Sequence, residues 1–441
     1  MDEDISPQLI RRDDERGIFA VHRSVYTDPA VYALEQERIF ARCWLYAGHV
    51  SELTSPGDFI ARTIANRRIF LSRAKDGVIR AFYNSCTHRG AMLCREARGN
   101  APMMVCPYHF WSFDSAGRLT GVPDSESFGP HFDRADFNLA RVARLDICHG
   151  FIFVSFADSG ESLADYLGAA GDYLARVADN SIAGMEIAEG SFRYSLAANW
   201  KLMVENSTDA YHVPATHHRY VDYMKASAQW DLAGGAPPET SVTPLGNGHC
   251  ILHLHNPGGG KMTAHWTPAL PEALKPRIAA RREAIEAKHG KERASHICDS
   301  YGILQIFPNL LVMESVSTIV RQFFPAGPGK LDIQMWGLIP SEMDEMEREH
   351  ALRSIAMFWG PGGFGSADDV DILESCQAAC ASPEPEWSIV SRGMVADRAP
   401  RFDDDIGSRE FWKRWHAAIA PDAPATGEDA SNLLRFAARG A

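Results

Sequence analysis

Cys86-Thr87-His88 and, after a gap of seventeen residues, Cys106-Pro107-Tyr108-His109 decide how this chain is read. Together they spell C-x-H-x17-C-x2-H, with one thiolate and one imidazole in each half. Structural zinc sites usually pair Cys with Cys in one knuckle and His with His in the next. A mixed pair in each loop suits a two-iron, two-sulfide cluster instead, both thiolates on one iron and both imidazoles on the other. Imidazole ligation raises the potential of such a cluster, so the site reads as an electron relay. The rival is a structural zinc site with the same four ligands. The flanks favour the cluster: Gly90 and Pro107 allow sharp turns that bring N–H groups to the sulfides. Tyr108 could hydrogen-bond a sulfide or a ligand Cys, and Phe110-Trp111 follow the second His.

The chain has 441 residues, too many for one small electron-transfer domain, so two or three domains with substantial cores are expected. A net charge of −13 argues against nucleic acid or an anionic membrane as partner. No apolar run approaches a bilayer span, and the acidic start Met1-Asp2-Glu3-Asp4 does not resemble a signal peptide. Outside the cluster motif, Cys43, Cys94, Cys148, Cys250, Cys298, Cys376 and Cys380 have no regular spacing and read as free thiols of a reducing cytoplasm.

Pro29–Cys43 has a helical pattern. Phe59–Thr63, Arg68–Ser72, Val78–Asn84 and Gly150–Phe156 read as strands between Gly, Asp and Pro turns. The polar connector Asp158–Ser162 marks the main boundary, and Leu163–Ala178 resumes a helical pattern. Beyond it, Gly190–Ala197, Cys250–His255, Ser317–Phe324 and Leu331–Ile339 read as antiparallel strands, with helices at Pro271–His289 and Ser341–Trp359. The expected class is α+β. The expected parts are an N-terminal helical segment (1–43) packed on the catalytic domain, a β-rich cluster domain (44–158) and a catalytic domain (159–441) with an antiparallel sheet flanked by helices. Residues 423–428 are expected to be loosely held.

A second constellation runs from Glu205 to His217. If the chain is helical through His212, then Glu205, Asp209 and His212 share a face. Pro214 should end that helix, leaving His217 on the next turn. Two imidazoles and a carboxylate make a facial triad that holds Fe(II) with open positions for oxygen. His218 competes with His217 for the role. The carboxylate is sought in Asp368-Asp369-Val370-Asp371, although acidic residues also suit a helix start without any metal.

These motifs resemble the large (α) subunit of Rieske non-haem iron ring-hydroxylating oxygenases, over nearly the whole length and in the family's order. C-T-H-R-G and C-P-Y-H-F-W are followed by N-W-K-x3-E-N-x2-D-x-Y-H-x4-H at Asn199–His217 and G-P-x-G-F-x3-D-D at Gly360–Asp369. The resemblance implies Cys86, His88, Cys106 and His109 as [2Fe–2S] ligands, and His212, His217 and Asp369 as ligands of one Fe(II). It implies Asp209 as a bridge between His212 and the cluster-ligand His109 of an adjacent subunit. Asn206 would line the approach to iron, Trp359 would form a pocket wall, and Gly365 would leave the pocket open where some relatives carry a bulky aromatic. The three-residue segment between Glu205 and Asp209 is like that of the benzoate- and cumate-type branch.

The expected protein is a cytoplasmic terminal oxygenase of aromatic catabolism. It uses O2 and electrons from NAD(P)H, through a reductase with or without a ferredoxin, to cis-dihydroxylate an aromatic acid or hydrocarbon. The family implies a homotrimer of α subunits or an α3β3 assembly with a small β subunit. Alternatives are a Rieske monooxygenase, salicylate-hydroxylase-like or a demethylase, and an electron-transfer protein whose second site is non-catalytic. His253 and His255, on one strand face with His249 nearby, could contact a substrate carboxylate or be ordinary strand histidines.

Overall fold

The computed structural model describes residues 9–226, 239–256, 261–267, 270–314, 317–394 and 398–420. The acidic start and the 423–428 tail lie outside them. The chain forms two compact units: Phe40–Tyr166 with Met185–Ile187, and the remainder, which includes the first 39 residues.

The smaller unit is built of short antiparallel strands. β1 (Leu45–His49), β2 (Asp58–Ile64), β3 (Arg67–Arg73), β4 (Ile79–Tyr83) and β5 (Arg98–Asn100) are followed by β6 (Met103–Val105), β7 (Ser112–Asp114) and β8 (Leu119–Gly121). β9 (Arg144–Cys148) and β10 (Phe151–Ser155) close the unit. The sheets run β4-β3-β2-β5, β8-β7-β6 and β9-β10-β1. β2 and β3 meet at Ala65 and Asn66, both at positive φ, the two-residue turn whose twist matches its strands. Phe59, Phe70, Phe82, Trp111 and Phe113 form the core around Cys86 and Cys106.

The larger unit carries a long antiparallel sheet. Its elements are β11 (Phe192–Leu196), α1 (Trp200–Ser207), β12 (Glu239–Gly246), β13 (His249–His255), α2 (Lys275–His289), β14 (Ser300–Ile306), β15 (Leu310–Met313), β16 (Ile319–Gly327), β17 (Lys330–Pro340), α3 (Glu345–Trp359), α4 (Phe364–Cys380) and α5 (Ile406–Ile419). The strand order is β17-β16-β15-β14-β13-β12, with β11 also pairing β17. Cys250, Gln305, Leu311, Arg321 and Met335 are successive cross-strand partners, so they share one face. That face meets the site helices: Ala210 and Ile406 pack with Cys250, and Arg321 bonds Ser366 of α4.

The first residues were expected to be helical. They open instead with strands Ile10–Asp13 and Ile18–His22, the second pairing Trp387–Ile389, before a helix at Pro29–Glu35. Asp28 caps that helix and Pro29 supplies its first turn. Glu35 is fully buried and accepts from Lys201 Nζ at 2.6 Å, and from the indoles of Trp200 and Trp415 at 2.8 Å each. The N-terminal segment is thereby tied to α1 and α5. All nine cysteines are free of disulfides, and among the described residues no helix is long and apolar enough to cross a membrane.

Candidate metal centres

The two cluster loops repeat one backbone plan. Cys86 N donates to Ala91 O and Gly90 N to Cys86 O, both at 2.8 Å. Cys106 N donates to Trp111 O at 2.8 Å and Phe110 N to Cys106 O at 3.0 Å. The fourth residue after each Cys, Gly90 or Phe110, has positive φ. Gly90 adopts it freely, whereas Phe110 carries a side chain there. Cys86 and Cys106 are buried, and the rings of His88 and His109 lie 4.6 Å apart. His88 stacks on Trp111 at 4.7 Å. Both imidazole Nδ1 atoms are buried without a hydrogen-bond partner, a lone pair on each left for a metal. The four donors fit a [2Fe–2S] group. Tyr108 is 58 % exposed with its ring 3.8 Å from that of His109.

In the larger unit the helix does not continue through His212. It ends at Ser207, where Ser207 Oγ donates to Met203 O at 2.7 Å and Thr208 Oγ1 shares Val204 O with the Thr208 N–H, at 2.9 and 3.0 Å. Nor does Pro214 end a helix; it lies in the first turn of the short helix Val213–Thr216, which His217 closes. The expected shared face of Glu205, Asp209 and His212 therefore does not form. Glu205 bonds Tyr26 and Trp412, at 2.7 Å each. Desolvation lifts its carboxyl to about 7, against those two donors and the charge of Lys201.

His212 and His217 nonetheless meet Asp369. One ligand atom from each lies within 4.8 Å of the others. Nε2 of His217 is 3.2 Å, and that of His212 3.7 Å, from Asp369 Oδ1. Each imidazole is backed at Nδ1 by a further carboxylate: Asp209 Oδ2 at 3.5 Å from His212, and Asp368 Oδ2 at 3.6 Å from His217. Both distances are longer than a formed hydrogen bond, and both Nδ1 atoms lack one. Two neutral nitrogen donors and one carboxylate fit a facial triad for Fe(II). His218 is outside the cluster, its Nδ1 3.0 Å from Ala215 O. Asn206 Nδ2 donates to Asp369 Oδ1 at 3.0 Å and lies 3.4 Å from His212 Nε2.

Trp359, at the end of α3, is 5 % exposed, with the Arg321 guanidinium 5.0 Å from its ring centre. The opening expected at Gly365 is filled: a Cβ there would stand 2.9 Å from the Phe358 ring. Phe358 lies 6.3 Å from the His217 ring and 4.5 Å from Tyr220, an aromatic wall that the motifs did not single out. His253 lies on the sheet face opposite Cys250 and Arg321, near Tyr173, and desolvation lowers its pKa to about 4. His253 and His255 therefore do not share the triad's face of the sheet. His249 is a core residue whose Nδ1 accepts from Phe307 N at 2.9 Å.

A pair of Cys/His loops with buried cysteines and a separate site of two histidines and a carboxylate define a Rieske oxygenase. Residues 43–140 match the model of the Rieske [2Fe-2S] domain, and 186–420 that of the ring hydroxylating alpha subunit (catalytic domain). The 2-halobenzoate 1,2-dioxygenase large subunit of Burkholderia cepacia is 30 % identical over 392 residues, 87 % of this chain and 82 % of that one. The anthranilate 1,2-dioxygenase large subunit of Acinetobacter baylyi is 30 % identical over 396 residues, 86 % and 81 % of the two chains. Naphthalene 1,2-dioxygenase with indole bound in the active site superposes with a TM-score of 0.79 at 25 % identity, covering 93 % of this chain and 94 % of that one. The chain belongs to the ring-hydroxylating oxygenase α-subunit family. Its cofactors are a [2Fe–2S] cluster and a non-haem iron, and its electrons come from NAD(P)H through a partner reductase.

Proposed function

We propose that Cys86, His88, Cys106 and His109 hold the cluster, that His212, His217 and Asp369 hold the iron, and that the chain cis-dihydroxylates an aromatic ring. The observation that carries this reading is the convergence of His212, His217 and Asp369 within one small sphere, with a second carboxylate behind each imidazole. Relatives act on 2-halobenzoate, toluate and anthranilate, and others on naphthalene and benzene, so the substrate class proposed is an aromatic acid or hydrocarbon.

When bound, the two metal groups supply one-electron transfer and dioxygen activation. The chain supplies the rest. With iron bound, Asp209 and Asp368 would accept from the Nδ1–H groups they face and so set the tautomer and tilt of the imidazoles. Asn206 holds Asp369 Oδ1 through its amide, fixing which oxygen faces the histidines. Trp359, Phe358 and Tyr220 give a flat aromatic substrate a surface to lie on and keep water from it.

Tyr108, Phe110 and Phe128, exposed at 58 %, 66 % and 44 %, ring the cluster loops with apolar surface. That rim supports a head-to-tail ring in which a neighbouring subunit covers the cluster and Asp209 links the neighbour's iron site to it. A homotrimer or an α3β3 assembly and a cytoplasmic location complete the reading, with the expected domain limits of 44–158 and 159–441 widened for the smaller unit to 40–166 and 185–187.

Anaerobic reconstitution with iron and sulfide tests it. The expected result is a Rieske spectrum with a further iron that Asp369→Asn loses while the cluster stays. With a reductase, both atoms of labelled O2 should enter the product. Zinc alone in the purified chain, or a single labelled oxygen per product, would refute the respective parts.

A further inference from the structure

The sheet face that meets α4 buries a cation that has no counter-ion among the described residues. Arg321 is 1 % exposed, in a row whose other members, Cys250, Gln305, Leu311 and Met335, are all buried and uncharged. Other buried cations face a glutamate: Arg62 with Glu52, Arg176 and Lys261 with Glu314, Lys201 with Glu35, and Arg281 with Glu347. Arg409 instead donates to two backbone carbonyls, those of Val390 and Arg392. Arg321 has neither kind of support. Its Nη2 donates to Ser366 Oγ at 3.2 Å and lies 3.9 Å from Met335 Sδ, and its Nε is buried without a partner. Among the described residues it forms no ion pair. Trp359, under the same guanidinium, also has a buried indole N–H with no acceptor.

A buried charge is costly unless it is paired, and a buried donor is costly unless it is bonded. Here a guanidinium lies over an indole ring, and the guanidinium Nε and the indole N–H both lack an acceptor among the described residues. Their place is informative. Ser366 precedes Asp369 by one turn on the same face of α4, so the cation stands a helical turn from the candidate iron ligand. The Ser366 hydroxyl is already committed to Trp359 O at 2.8 Å and cannot neutralise charge.

We propose that Arg321 is the substrate's carboxylate anchor, with Trp359 as its aromatic companion, and that the substrate is therefore an aromatic carboxylic acid rather than a hydrocarbon. The planar guanidinium fork matches a carboxylate's two oxygens, and the missing counter-ion is the substrate itself. This rests on the reading of His212, His217 and Asp369 as the oxygenation site.

The test uses the holoenzyme with its reductase, given benzoate and 2-naphthoate beside benzamide and 2-naphthamide. Equilibrium binding of the same four compounds is measured on the resting enzyme. Wild type should favour the acids. Arg321→Met should lower the acid-to-amide ratio of kcat/KM and of affinity by about 100-fold, the scale of a buried charge-assisted pair, and Arg321→Lys by less. Iron and cluster content should hold, and the Tm of the unliganded Met variant should not fall as it would on losing an ion pair, since the charge removed has no anionic partner among the described residues. The proposal is overturned if wild type favours the amides, if Arg321→Met keeps the ratio, or if its Tm drops as loss of a structural ion pair would require. An iron-free wild type would defeat the oxygenation reading separately, and the binding measurement would still decide the role of Arg321.

Discussion

Replacing Glu35 by Gln puts the clamp on the site helix to a quantitative test. Glu35 and Lys201 are both fully buried, and the carboxylate accepts three hydrogen bonds, from Lys201, Trp200 and Trp415. Glutamine keeps the volume but turns an amide donor or a neutral oxygen toward the Lys201 ammonium. Breaking one side of a buried pair costs about 3–5 kcal/mol, because the remaining charge is left without compensation. Desolvation already lowers the pKa of Lys201, and Glu35 is the first of the partners that oppose this, so Lys201 loses most of its support. At about 2–4 °C per kcal/mol, Tm should fall by roughly 6–20 °C. Thermal and urea unfolding can be followed by indole fluorescence, since Trp200 and Trp415 flank the pair. The double variant Glu35→Gln/Lys201→Met should recover much of the loss, as no charge is then stranded. A single variant within about 1 kcal/mol of wild type, or a double variant no better than the single one, would refute the reasoning.

Glu205, lifted to about 7, holds its proton more tightly folded than unfolded, so its contribution is present in acid and is lost as pH rises from the ordinary carboxyl range through about 7. The effect is on the order of 3 kcal/mol, and Glu205→Gln should flatten the pH dependence of urea unfolding across that window. Gly365→Ala pushes a methyl against Phe358 and should cost about 1–3 kcal/mol in unfolding free energy, with KM raised more than kcat is lowered if Phe358 tilts into the site. Asp209→Asn should leave iron and cluster in place but slow substrate-dependent oxidation of the Rieske centre in single turnovers; an unchanged rate would remove Asp209 from the electron path. Asp368→Asn, behind the other imidazole, should weaken iron binding about 10–100-fold in a chelator competition without altering the Rieske spectrum.

The proximity of each candidate ligand pair was legible in the sequence because each is carried by a short segment. C-x-H and C-x2-H are held within single loops, and His212 and His217 flank one turn of helix. Asp369 was legible only through motif order. Asp368 and Asp371 have the same chemistry, and it takes the packing of α4 to bring Asp369 to the histidines and place Asp368 behind one of them. The helix end at Ser207 was not legible, since hydroxyl bonds to the preceding turn compete narrowly with continued helix. Strands of three residues such as β5 to β8 carry too little periodicity to be seen, and β15 was missed because a fully buried strand lacks alternation. Arg321 sits within an apolar run where a long side chain can reach outward, and only its surroundings show that it does not.

The unit that carries the candidate iron site joins segments far apart in the chain. Tyr26 donates to Glu205, Ile18–His22 pairs Trp387–Ile389, and Arg38 donates to the carbonyl of Ile419, 381 residues away. On a ribosome working at about 5–20 residues per second, the first strands wait roughly 20–80 s for those partners. Residues 40–166, which hold the Cys/His loops, emerge whole within the first part of that interval. A nascent chain can thus shape its sulfide-cluster unit while its iron pocket is still missing a wall, and a truncation or fusion at the N-terminus should damage the iron pocket while sparing the cluster.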